Sequence, residues 1–237
     1  MKRATEILDY LKNKPHIIEE METIWFVADI HHSHSKVIRI HNRPVSLSEE
    51  KLKLFSKDEQ NFDNKEYREE ISKEHTQWLI KDVVNKWVKK KHTVYFLGDL
   101  SFAPKIEAEK FIDRLNGNKF LIIGNHDKNI IKSTRFSQVT QRKNFSFKRD
   151  DININIVLDH YALLTWEKRF DGWWHLYGHV HGKLKNSKYA FDVGIDNPEL
   201  LEYTGGIRRP LNLYDIVKIM AYREELFENN INYCPFY

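Results

Sequence analysis

Cysteine is nearly absent from the 237 residues: Cys234 stands alone. A disulfide within the chain is excluded, and so is a thiolate metal site. Any metal must be held by nitrogen and oxygen. Glycine (9) and proline (6) are few, and the chain contains no internal repeat or low-complexity linker. No run approaches the roughly 20 apolar residues that a membrane span needs. The opening "MKRATEILDYLKNKPHIIEE" has no long apolar stretch and no cleavage signal. A soluble, cytoplasmic protein with no membrane partner is expected. A strong excess of one charge is also missing: the net charge is +4. The lysines of "KWVKKK" (86–91) suit a solvated helix end, where they favour the dipole. An extended nucleic acid is not expected, because it calls for a larger basic surface.

What is present is a packed globule's composition, with aromatics at 13% and charged residues at 30%. The length suits a single domain over 1–237. A highly charged insertion falls at about 46–72, "SLSEEKLKLFSKDEQNFDNKEYREEIS", read either as a solvated surface segment or as a flap over a site.

Short apolar runs recur, and each ends in polar residues of a particular kind. "IWFVADIH" (24–31), "TVYFLGDL" (93–100), "FLIIGNHD" (120–127), "INIVLDH" (154–160) and "WHLYGHVH" (174–181) end in Asp, Asn or His. A sixth, "YAFDVGID" (189–196), carries acids but no histidine. Their Val, Ile, Phe and Tyr content reads as strands. Between them, 73–90 places Trp78, Leu79, Val83, Trp87 and Val88 on one helical stripe. Residues 104–115 begin at Pro104 and turn Ile106, Phe111, Ile112 and Leu115 inward, with Gly117 just beyond as a cap. Residues 211–226 read as a last amphipathic helix. Alternating strands and helices imply an α/β (α+β) protein, whose ligands bind beyond the carboxyl ends of strands.

The strand ends bring together Asp29, His31, Asp99, Asn125, His126, His160, His179 and His181. One histidine at a strand end is ordinarily structural. Five successive runs ending this way point to a shared task. Carboxylate and imidazole donors suit Mn, Fe or Zn better than Mg or Ca, and burying such groups without an ion is expensive. Half of them would saturate one four-coordinate zinc. Two ions about 3.5–4 Å apart, bridged by a carboxylate, use the set better. Asp99, in the middle of the order, is the natural bridge.

The blocks D-x-H (29–31), G-D (98–99), G-N-H-D (124–127), a lone His160 and G-H-x-H (178–181) appear in this order. They resemble the signature blocks of the calcineurin-like metallophosphoesterases. "HSKVIRIHNRP" (34–44), "LYGHVHG" and "FDVGID…RRPLNLYDIV" resemble flanks of a small bacterial and phage branch. The resemblance implies a two-sheet β-sandwich flanked by helices. It implies that Asp29, His31 and His181 hold one ion, that Asn125, His160 and His179 hold another, and that Asp99 bridges. His126 is similar to the family's catalytic histidine. The cofactors implied are two divalent ions, Mn foremost, with Fe, Ni or Zn as alternatives.

Protein-phosphatase members extend the second block to G-D-x-x-D, whose last Asp orients the catalytic histidine. Here that position is Phe102. Loss of the carboxylate shifts the expectation from phosphoproteins to phosphodiesters of a small or nucleotide substrate, cleaved by metal-activated hydroxide. Asp127 is a possible substitute partner for His126. Phosphomonoester and dinucleoside polyphosphate hydrolysis are the alternatives, followed by a nuclease and a non-catalytic scaffold such as the retromer subunit of this fold. His34, Arg39, Asn42 and Arg43 are candidate substrate-binding residues, the arginines as bidentate phosphate clamps. His32 and His41 are expected to be solvated. His16, His75, His92 and His175 are expected to be structural. The oligomeric state is left open.

Overall fold

The computed structural model describes residues 2–45, 47–51, 64–184 and 187–229. Two short helices come first, α1 (Ala4–Leu11) and α2 (Pro15–Met21). Strand β1 (Ile24–Val27) follows, then α3 (Ser35–Ile40) and α4 (Lys65–Trp78), which continues as a π-helical turn over Leu79–Val84. Next are β2 (Thr93–Leu97), α5 (Lys105–Arg114), β3 (Asn118–Ile122), β4 (Gln138–Thr140), β5 (Arg142–Arg149) and β6 (Ile152–Asp159). The chain then forms β7 (Trp174–Tyr177), β8 (Ala190–Asp192), α6 (Pro198–Tyr203), β9 (Leu211–Asn212) and α7 (Leu213–Asn229).

The strands form two mixed sheets, ordered β4-β3-β2-β1-β9 and β5-β6-β7-β8. In the first, β1 to β4 run parallel and β9 is the antiparallel edge. In the second, β5 and β6 form an antiparallel pair, and β6, β7 and β8 are parallel.

Side-chain alternation explains how the sheets stack. Phe26 of β1 and Ala28 just beyond it, with Tyr95 and Leu97 from β2, face a core completed by Ile154, Ile156, Leu158, Trp174 and Leu176 of the second sheet. Trp25, Val27, Val94 and Phe96 point the other way, onto Leu79, Val83, Phe111 and Ile112 of the covering helices. Phe26 and Phe145 meet edge-on across the sandwich, with ring centroids 5.4 Å apart. The sheets join where β1 ends: Ala28 bridges Gly194 in parallel, with the Ala28 N–H donating to the Val193 carbonyl at 3.1 Å. The carboxyl ends of β1, β2, β3, β6 and β7 therefore open on one region.

The six strands read from apolar runs are all present, as is the two-sheet architecture with helices outside. Helix α4 starts at Lys65, inside the stretch read as a charged insertion, because the Asn64 side chain accepts from the Tyr67 N–H and caps it. Residues 46 and 52–63 of that stretch lie outside the described residues, and with them the idea of a flap. Ile106 points outward, 70% exposed. The buried stripe of α5 and its end is Ala108, Phe111, Ile112 and Leu115, spaced i, i+3, i+4, i+7. At the C-terminal end, 211–212 pair with β1 as a strand before helix α7 starts at Leu213.

Candidate metal centre

The chain leaves β1, β2 and β7 through left-handed residues. Asp29, His31, Asp99, His179 and His181 have φ of 58°, 54°, 53°, 71° and 49°. That region is disfavoured for side chains larger than glycine, and strain of this kind collects at functional sites. Each turn swings a donor out of its strand toward the common space between sheet ends. Close approach also requires glycine: a Cβ on Gly98, itself at φ +87°, would stand 2.3 Å from His160 Nδ1.

Two donor sets result. The ligating atoms of Asp29, His31 and His181 lie within 4.8 Å of one another, and so do those of Asp99, His160 and His179. His31 Nε2 and His181 Nε2 are 3.2 Å apart. Asn125 Oδ1 adds to the second set at 3.0 Å from His160 Nε2. Asp99 reaches both sets: Oδ2 is 4.0 Å from His31 Nε2, and Oδ1 is 3.5 Å from His160 Nε2.

The chemistry of these donors fits cations. His160 Nδ1 donates to the Leu97 carbonyl at 2.8 Å, which leaves Nε2 as an acceptor. That acceptor faces two more, Asn125 Oδ1 and Asp99 Oδ1. Three converging acceptors call for a positive centre. Asp29 is fully buried, and burial together with the Asp192 and Asp99 carboxylates holds its carboxyl well above the usual range. Burial, Arg43 and His181 push His31 well below the ordinary histidine value, so it is a neutral lone-pair donor. A divalent ion relieves both conditions.

His126 stands beside the second set, 41% exposed at its side chain, with Nε2 3.9 Å from Asp99 Oδ2. Its backbone N–H donates to Asp99 Oδ1 at 3.0 Å. The Phe102 ring stacks on His126 at 4.1 Å and on His34 at 4.2 Å. Asp127 does not orient His126. It is buried and accepts from the backbone N–H groups of Asp99, Leu100 and Gly124 at 2.9, 2.8 and 2.8 Å, tying the second and third blocks together.

Among the expected substrate-binding residues, His34 lies next to the site, its ring 5.5 Å from that of His31. Arg43 corrects the expectation of a phosphate clamp. It is buried, and its five N–H groups face inward: to Asp196, to the carbonyls of Ile30 and Asp29 at 2.7 and 2.8 Å, and to His75 Nε2 at 2.9 Å. A guanidinium so engaged has no donor left for phosphate. Arg39 and Asn42 are exposed, on α3 and just after it.

His32 is buried rather than solvated, bonded to Ser101 Oγ at 2.9 Å and stacked on Phe111. His41 stacks on His181 at 4.3 Å. His75 and His175 are fully buried, as expected of structural histidines, and His92 accepts from the Trp25 indole. Asp196 and Asp192 were missed as site neighbours. Their signal was the unexplained acids of the sixth run.

A two-sheet sandwich with such donors at its strand ends defines the class of metal-dependent phosphoester hydrolases. The family model for calcineurin-like phosphoesterases matches residues 22–229, and the chain belongs to that family. An uncharacterized protein of Methanocaldococcus jannaschii is 29% identical over 209 residues, 84% of this chain and 92% of that protein. A crystallised protein of unknown function from Aquifex aeolicus matches with a TM-score of 0.49 and 17% identity, covering 83% of this chain and 98% of that one.

Proposed function

We propose that the chain is a single-domain, cytoplasmic, binuclear-metal phosphodiesterase acting on a small or nucleotide diester. Asp29, His31 and His181 hold one ion, Asn125, His160 and His179 the other, and Asp99 bridges. Manganese is the first choice, with Fe, Ni or Zn also served by these donors. Ions bound there supply a water acidic enough to ionise near neutral pH and neutralise phosphate charge.

The remaining work falls to the chain's own side chains. Asp99 offers one oxygen toward each donor set and keeps the two in register. His126, exposed beside Asp99, is placed to give a proton to the departing oxygen. Phe102 limits rotation of that imidazole by stacking and keeps water from its face.

The observation that carries the diester reading is Phe102 packed against His34 and His126. A monoester dianion presents an extra charged terminal oxygen, which an apolar ring solvates poorly. A diester carries one charge fewer and an organic substituent that the ring can meet. The burial of Arg43 supports the same reading, since it withdraws a cation from the second terminal oxygen.

The test is paired hydrolysis of bis-p-nitrophenyl phosphate and p-nitrophenyl phosphate by EDTA-stripped protein, with and without Mn²⁺. Mn²⁺-dependent cleavage favouring the diester is expected. Preference for the monoester would overturn the diester reading and leave a phosphomonoesterase.

A further inference from the structure

The sixth apolar run, "YAFDVGID", ends in acids that the two donor sets leave unused. Asp192 and Asp196 are buried, 3% and 5% exposed. Asp192 accepts from the backbone N–H groups of Gly182 and Gly194, each at 2.7 Å, and so pins the turn that follows His181. Asp196 Oδ2 lies 3.4 Å from His181 Nδ1. The same carboxylate accepts from Arg43 Nη2 at 2.7 Å and from Arg208 Nε at 3.1 Å. Arg43 in turn donates to the carbonyls of Asp29 and Ile30. One buried pair thus touches all three parts of the first donor set: the backbone around Asp29 and His31, and the ring of His181.

Resting on the two-metal reading, we infer that Asp196, backed by Arg43, is the positioning residue of the first metal set. It fixes His181 with its proton on Nδ1 and its Nε2 lone pair turned toward Asp29 and His31. A carboxylate behind a ligating imidazole fixes the tautomer and raises the donor's basicity. His41 completes the arrangement by stacking on His181 with an interplanar angle of 9°, which hinders rotation of the ring. His41, His181 and Asp196 also lie close enough to form a third cation site. Charge argues against that use. Two guanidinium groups already sit on the carboxylate, so a further cation would enter against both. Arg43 does from behind what a phosphate clamp does from the front: it spans the two sheets and sets where the donors stand.

Two measurements test this. The first needs no variant: long-range ¹H–¹⁵N NMR of the Zn²⁺-loaded protein should show His181 coordinated through Nε2 with a slowly exchanging Nδ1 proton. Coordination through Nδ1, or an unprotonated Nδ1, would overturn the inference. The second is Mn²⁺ titration of Asp196→Asn, followed by spin resonance of the ions. The double variant Arg43→Gln/Asp196→Asn is run beside it, because it leaves no unpaired buried guanidinium. The first set should lose affinity by about 10–100-fold in both, with the second set unchanged. Excess Mn²⁺ should then restore turnover. Equal weakening of both sets would mean a general structural role, and unchanged affinity would mean none; either rejects the inference. A wild-type protein that binds no pair of ions would reject the two-metal reading itself.

Discussion

His179 and His126 divide two tasks that neighbouring histidines could share. His179 belongs to the second donor set with Asp99 and His160. His179→Ala is expected to lose the second ion and to slow turnover by about 100-fold or more, with the melting curve in EDTA preserved. Wild-type turnover with both ions retained would show that His179 is no ligand. The His126 imidazole is exposed, its Nε2 3.9 Å from Asp99 Oδ2. His126→Ala should keep both ions, and should lose about 10²–10⁴-fold in rate for diesters with poor leaving groups but little for p-nitrophenolate. An equal loss for both leaving groups would exclude proton donation. Gly98→Ala tests the packing behind these roles. Its Cβ would overlap His160, and the positive φ costs about 1–3 kcal/mol for an alanine. Loss of the second ion, together with a lower Tm, is the expected result, read by metal count and calorimetry.

Elements carry these residues, and one element adds a pH dependence. Helix α4 lays His75 against Arg43, fully buried. Burial and the adjacent guanidinium push His75 down to about 2. The unfolded chain takes up that proton below about pH 6.5. Because the folded value is the lower one, this stability is present above pH 6.5 and is lost as pH falls toward 2. The slope approaches about 1.4 kcal/mol per pH unit. His75→Gln keeps an acceptor for Arg43 and should flatten the acid side of the metal-free protein's stability curve. An unchanged slope would place the titration elsewhere.

Legibility followed the same elements. The strands that end in donors were readable because both their apolar runs and their polar ends are continuous in sequence. Strand β5 was not, since only Phe145 and Phe147 of its eight residues face the core. Arg43 was misread because nothing local distinguishes a guanidinium aimed at phosphate from one aimed at Asp196, 153 residues away. Asp127 was misread for a like reason: two of its three partners are backbone groups of another strand end, Asp99 and Leu100.

At the scale of the molecule, two sheets supply one donor set each only in part. Asp29, His31 and Asp99 follow strands of the first sheet, and His160, His179 and His181 follow strands of the second. Metal binding therefore reports on the docking of the sheets. Each ion that binds only the folded chain stabilises it by about 2.7 kcal/mol at 100 times its Kd. For a protein of this size that corresponds to a Tm rise of roughly 5–11 °C. Scanning calorimetry with EDTA and with Mn²⁺ checks it, and an unchanged Tm would argue that the sheets meet without help from ions. The most direct test is a crystal grown with Mn²⁺ and measured at the manganese absorption edge. Two anomalous peaks about 3.5–4 Å apart are expected, with the Asp99 carboxylate between them, His31 and His181 on one side, and His160 and His179 on the other. A single peak away from Asp99, or none at all, would contradict the binuclear centre.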